Sequence, residues 1–74
     1  MKGDEVRRIR EKFDLSREEF AQVFGLSGYR AVANIEIDFR HASRLTIILL
    51  RVLDSLPVSK AKAIIDLLRK HSDA

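Results

Sequence analysis

The sequence predicts an all-α domain of five helices, and three observations predict it. Apolar residues recur at helical spacing along almost the whole chain, and no stretch alternates apolar and polar as a half-buried strand would. Breakers are few, with one proline and three glycines in 74 residues. Serines stand where helices would begin, at positions 16, 27, 43 and 59. A serine there can accept a hydrogen bond from a free N–H of the first turn.

Each element has its own signal. The first helix is predicted from about Asp4, a plausible N-cap, to Phe13, with Val6, Ile9 and Phe13 on one face. Ser16 caps the second, and Glu19 three residues on completes the capping-box spacing. That helix runs to Phe24 and should bury Phe20, Ala21 and Phe24, after which Gly25 ends it in the left-handed conformation. Leu26 anchors the turn, and Ser27 caps a third helix reaching about Ile37. Ser43 caps the fourth, "RLTIILLRVLDSL", which reaches Leu56. Its inward stripe is expected to be Leu45, Ile48, Leu49, Val52 and Leu56, with Ile47 and Leu50 left over on the other side. After Pro57, Ser59 caps the fifth helix, which runs to about His71. It should bury Ala61, Ile64, Ile65 and Leu68 and leave Ala63 and Leu67 at its edge. The tail "SDA" is expected to fray.

Composition narrows the function. A chain this short is one domain, 1–74, and buries only about 60% of its unfolded surface. With no cysteine, it has neither a disulfide nor a thiolate metal site to staple it. His41 and His71 are far apart and read as solvated. No run of about twenty apolar residues is present, and "MKGDEVRRIREKF" is too charged for a signal peptide, so a cytoplasmic chain without membrane contact is expected. No nucleophile–base pair and no phosphate-cradling glycine loop is visible, and Asp54 and Asp66 read as surface charges. An enzyme, a metal, a cofactor and a small-molecule ligand are therefore not expected. The formal net charge of +3 permits a polyanionic partner without requiring one. Its distribution says more. Arg7, Arg8, Arg10, Lys12 and Arg17 crowd the first quarter, and Arg30, Arg40, His41 and Arg44 lie in and after the third helix.

The stretch "GLSGYRAVANIE", residues 25–36, carries the functional signal. At 100° per residue Val32 and Ile35 point one way, while Arg30, Asn34 and Ile37 point the other, with Ala33 beside them and Tyr29 at the N-terminal end. Arginine can pair with guanine and asparagine with adenine, each through two hydrogen bonds. Ala33 is small enough to allow close approach. The linker "GLSG" is too tight for antiparallel packing, so the second and third helices must cross steeply.

The segment "REKFDLSREEFAQVFGLSGYRAVANIEIDFRHAS" resembles the Xre/Cro-type helix-turn-helix family of phage and bacterial repressors. Leu15, Ser16, Arg17, Ala21, Gly25, Leu26, Ser27, Val32, Ile35 and Glu36 carry the likeness, which covers residues 7–56 and, more loosely, the rest. The resemblance implies a compact five-helix lambda-repressor-like DNA-binding domain, with the helix-turn-helix at about 16–37 and helices at about 43–71 completing the core and a dimer contact. It implies base contacts from Tyr29, Arg30, Ala33 and Asn34. Backbone contacts would come from Arg10, Ser16, Arg17, Ser27, Gly28, Arg40 and Arg44. It also implies an ion pair between Arg10 and Glu36 that orients Arg10 toward a phosphate. The chain departs from the family pattern in three places. The segment between Ser27 and Val32 is one residue longer than usual, position 17 is arginine rather than glutamine, and the usual glycine and proline after the third helix are Asp38 and Ala42. Asp38 tolerates left-handed geometry better than most residues.

The function expected from this reading is a sequence-specific DNA-binding regulator, a repressor, bound to a pseudo-palindromic operator as a homodimer through Ile47, Leu50, Ala63 and Leu67. Double-stranded DNA and a second copy are its expected partners. So short a chain leaves no room for a ligand-sensing domain. Two alternatives stand beside it. One is an antitoxin that represses its own operon and grips a toxin through the fifth helix and tail. The other is a helical adaptor that meets only proteins.

Overall fold

Val6, Ile9 and Phe13 recur every three or four residues, and all three are buried along α1 (Gly3–Lys12) and its C-cap. The computed structural model describes residues 1–72, so the last two residues of the predicted fraying tail lie outside the described chain. The remaining elements are α2 (Arg17–Phe24), α3 (Tyr29–Glu36), α4 (Arg44–Ser55) and α5 (Val58–Lys70), with no strand among the described residues. The Cα radius of gyration is 11.2 Å, against about 11 Å for a close-packed chain of this length.

Two of the predicted serine caps form. Ser16 Oγ accepts from the Glu19 N–H at 3.0 Å, and Glu19 Oε1 accepts from the Ser16 N–H at 2.8 Å, so the capping box is complete. Ser43 Oγ accepts from the Thr46 N–H at 3.2 Å. Three helix starts differ from the sequence expectation. α1 begins at Gly3 rather than after an Asp4 cap, because an Asp38 carboxylate oxygen takes the Gly3 N–H from across the fold. α3 begins only after Gly28, with no side-chain cap from Ser27, so the extra residue in this segment lengthens the turn. α5 begins after Pro57, whose φ of −54° already suits a helix start, and Ser59 lies inside it.

The core joins all five helices. α1 packs against α3 and α4, α2 against α3 and α5, and α4 against α5. Phe20, Ile9, Leu50, Leu53, Val6 and Val32 are its largest fully buried side chains. On α2 Phe20 and Ala21 are buried as expected, and the third buried residue is Val23 rather than Phe24, which is half-buried with its ring 4.4 Å from that of Phe20, centroid to centroid.

α4 is rotated relative to the expected orientation. Its inward residues are Thr46, Leu50 and Leu53, whereas Leu45, Ile48 and Val52 are exposed. Leu50, expected at a dimer contact, is 1% exposed and belongs to the core, and Ile47, expected beside it, is half-buried. The helix is apolar on nearly every side, so periodicity alone offers two stripes. The polar residues agree with the observed rotation: Asp54 neighbours Leu50 on the helix wheel and bonds to Arg8 and Lys12 of α1. Thr46 is tolerated inside because its hydroxyl meets Ser43 Oγ at 2.9 Å. On α5, Ala61 and Ile65 are buried and Leu68 is half-buried, whereas Ile64, expected inside, is exposed together with Ala63 and Leu67.

Candidate nucleic-acid interface

The turn between α2 and α3 is built from three local choices. Gly25 takes φ 67°, the left-handed region where a side chain would be strained. The next N–H, that of Leu26, returns to the Ala21 carbonyl at 2.9 Å, and Leu26 packs against the core. Gly28, at φ 153°, then opens α3. Ala21 on α2 and Val32 and Ile35 on α3 are buried, which fixes one face of α3 to the protein and turns the other outward. That outward face carries exposed Tyr29, Arg30 and Ile37, with Ala33 and Asn34 half-buried.

Ser27, Arg30, Ala31, Asn34 and Arg40 line one open hollow of about 250 Å³. Four of these five are residues the sequence singles out, and they come from the turn, from α3 and from the segment after it. The segment is held in place by its backbone. Asp38 adopts φ 62°, and the Phe39 and Arg40 N–H groups both donate to the Asn34 carbonyl, at 2.9 and 3.1 Å. Arg40 is thereby returned to the same side as Arg30. Neither arginine forms an ion pair among the described residues. His41 and Arg44 are exposed and follow Arg40 in sequence, outside the hollow's lining.

Beneath this face lies a charge cluster. Glu36, whose side chain is 3% exposed, accepts from Arg10 Nε at 2.6 Å and from Arg17 Nε at 3.0 Å. The Arg10–Glu36 pair forms as expected. Arg10 also donates Nη1 to the Leu15 carbonyl at 2.8 Å, and its side chain is only 11% exposed. Arg17 takes the outward place. Its side chain is 30% exposed, and its guanidinium carbon lies 5.4 Å from the centroid of the Tyr29 ring. The hydrogen bond and charge of Glu36 hold the Arg17 pKa above its ordinary value, so the cation persists at any working pH.

Some partners escaped sequence reading. The second arginine on Glu36 was not foreseen, although arginine at position 17 was the available signal. Arg8 and Lys12 stand in the sequence only as part of the basic cluster of the first quarter and Asp54 as a surface charge, yet Asp54 meets them at 3.0 and 2.9 Å. Asp54 is held at a pKa of about 2 by hydrogen bonds, first from Arg8 and then from Lys12. Phe39 had no assigned role and stands almost fully exposed.

A second hollow, of about 490 Å³, lies on α2 and the turn, lined by Glu18, Gln22, Gly25, Leu26 and Gly28 among others. Its one ionisable group is an acid, which does not suit an anionic ligand. No group of histidine, aspartate and glutamate that could hold a metal occurs among the described residues, and no helix there is long and apolar enough to cross a membrane. Comparison with protein-family models, with characterised proteins and with solved structures gave no match.

Proposed function

We propose that the chain is a lambda-repressor-like helix-turn-helix domain that binds double-stranded DNA as a transcriptional regulator, a repressor acting as a homodimer. One observation carries this reading. The face of α3 turned away from the core brings Arg30, Asn34 and Arg40 around a single open hollow, and no acid of the described chain neutralises the two arginines. Arg30 and Asn34 are side chains suited to base edges in a major groove. Ser27 and Arg40 line the same hollow, and to them, with Arg44, Ser16 and Gly28, we assign the backbone contacts, which set register without carrying sequence.

Titration of random and selected duplexes over a range of salt tests this function. A DNA binder loses affinity steeply as salt rises, with a log–log slope of about −0.9 per phosphate neutralised. A helical adaptor shows little affinity for duplex at either end of the range. An antitoxin shares the DNA-binding behaviour, and the gene beside it separates that variant.

A further inference from the structure

Tyr29, which the sequence reading places at a base, stands exposed at the start of α3 next to Arg17. It is the first residue of α3, Arg17 is the first of α2, and the guanidinium carbon of Arg17 lies 5.4 Å from the centre of the Tyr29 ring. We infer that Tyr29 and Arg17 form one phosphodiester clamp, in which Tyr29 fixes the plane of the guanidinium and adds its own hydroxyl to the same stretch of DNA backbone. The inference rests on the DNA-binding reading above.

The donor inventory supports it. An arginine offers five N–H groups in a planar fork. Arg17 gives Nε to Glu36 at 3.0 Å, and the Tyr29 hydroxyl is a second, weaker partner of the same guanidinium. Glu36 is itself fixed, because Arg10 holds its other oxygen at 2.6 Å and donates on to the Leu15 carbonyl. The guanidinium is therefore held at Nε by a buried carboxylate, with the centre of the Tyr29 ring 5.4 Å from its central carbon. What remains for a ligand is the outer edge with its Nη groups, the geometry that matches a phosphate. The two arginines and one carboxylate sum to a single positive charge. Arg10 is shielded, so that charge emerges at Arg17. Tyr29 is about half exposed and its hydroxyl is a weak partner of the Arg17 guanidinium, so the two can meet one phosphate together. A ring committed to Arg17 is not free to slide along base edges, which leaves sequence reading to Arg30, Ala33 and Asn34.

The test uses the full chain and a duplex selected from a random library, with single methylphosphonate substitutions scanned along each strand. The parent protein loses tenfold or more in affinity at one particular phosphate. Arg17→Ala removes the sensitivity at that phosphate alone, and Tyr29→Ala blunts it several-fold while selecting the same base sequence. Arg17→Lys, which has no planar face, makes the Tyr29→Ala change nearly silent. The clamp is overturned if Tyr29→Ala alters the preferred bases, if its scan matches that of the parent, or if the Arg17→Ala and Tyr29→Ala losses simply add. A parent chain that binds no duplex at low salt overturns the DNA-binding function as well. A parent that binds but scans flat overturns the clamp alone.

Discussion

The backbone N–H of Gly3 donates to Asp38 Oδ1 at 2.8 Å, which ties the first turn of α1 to the left-handed residue just beyond α3. The approach is close enough that a Cβ at Gly3 would run into the carbonyl groups of Ile35 and Glu36, and these are backbone atoms that cannot rotate away. Gly3→Ala should therefore destabilise the fold by about 1–3 kcal/mol, the usual range for overpacking a filled site. Asp38→Ala should cost about 1–2 kcal/mol, because it loses the hydrogen bond and keeps the left-handed strain. Asp38→Gly relieves that strain while losing the bond, and should stay within about 1 kcal/mol of the parent. Urea denaturation of the three variants checks the ranking.

Glu36 accepts from two arginines while almost fully buried. Its removal leaves Arg10 inside the fold facing no carboxylate. Glu36→Ala should cost about 3–5 kcal/mol in stability, the range for breaking one partner of a buried pair. It should also weaken DNA binding, since Arg17 loses its inner anchor. Unchanged melting temperature together with unchanged affinity would remove this role from Glu36.

Asp54 makes stability depend on pH in the acid range. Its folded pKa, about 2, lies below the ordinary 3.8 because Arg8 and Lys12 favour the carboxylate. A depressed pKa stabilises the fold above the unfolded value, so the contribution is complete above about pH 4 and is lost as pH falls from there toward 2. With the side chain partly open to water, the effect should be about 1–2 kcal/mol. Asp54→Asn should remove that part of the acid limb in a series of melts between pH 2 and 6. A variant whose acid limb overlays the parent's would refute the assignment.

The parts of the fold that local chemistry decides were legible in the sequence. Ser16 with Glu19, Gly25 and Ser43 each act through hydrogen bonds or backbone angles set within a few residues, and each acts where expected. What was not legible depends on contacts distant in sequence. The face of α4 was ambiguous because Leu45, Ile48 and Val52 make as regular a stripe as the true inward set, and the choice rests on packing against helices distant in sequence. The start of α1 was misplaced for a similar reason, since its first N–H is satisfied by Asp38, thirty-five residues away. On the outward face of α3, Arg30 and Asn34 were legible because a helix wheel fixes them once Val32 and Ile35 are buried. The turn of Tyr29 toward Arg17 was not, because it depends on how two helix starts meet.

Arg30 stands at the middle of that outward face and lines the hollow with Asn34 and Arg40. Arg30→Ala should cost about 1–3 kcal/mol on the preferred site and relax the base preference at one position. Arg40→Ala should weaken all sequences alike and make the salt slope shallower by about one phosphate. The readout is selection from a random duplex library, followed by titration. An unchanged motif and affinity for Arg30→Ala would overturn the use of α3 for reading.

The dimer contact must be drawn on different residues from those the sequence suggested. Leu50 is core, so Leu50→Glu should unfold the chain rather than report on assembly, and Leu50→Ala alone should cost about 2–5 kcal/mol. The exposed stripe on α4 is Leu45, Ile48 and Val52, spaced one and two turns apart on one side of the helix. We expect a second copy to cover it. Under the proposed function one α3 would read only a few base pairs, and a two-fold pair would place its two α3 helices about 34 Å apart on successive turns of a pseudo-palindromic site. Ala63 and Leu67 remain exposed on α5 as candidates to flank the contact. Ile48→Glu and Val52→Glu should keep the parent's melting behaviour at low concentration, shift sedimentation at micromolar concentration from dimer toward monomer, and weaken binding to a two-half-site duplex by tenfold or more. Binding to a single half-site should be unaffected. A parent that sediments as a monomer both free and at saturation on the two-half-site duplex would rule out the dimer. Glutamate variants that bind that duplex as tightly as the parent would rule out this face.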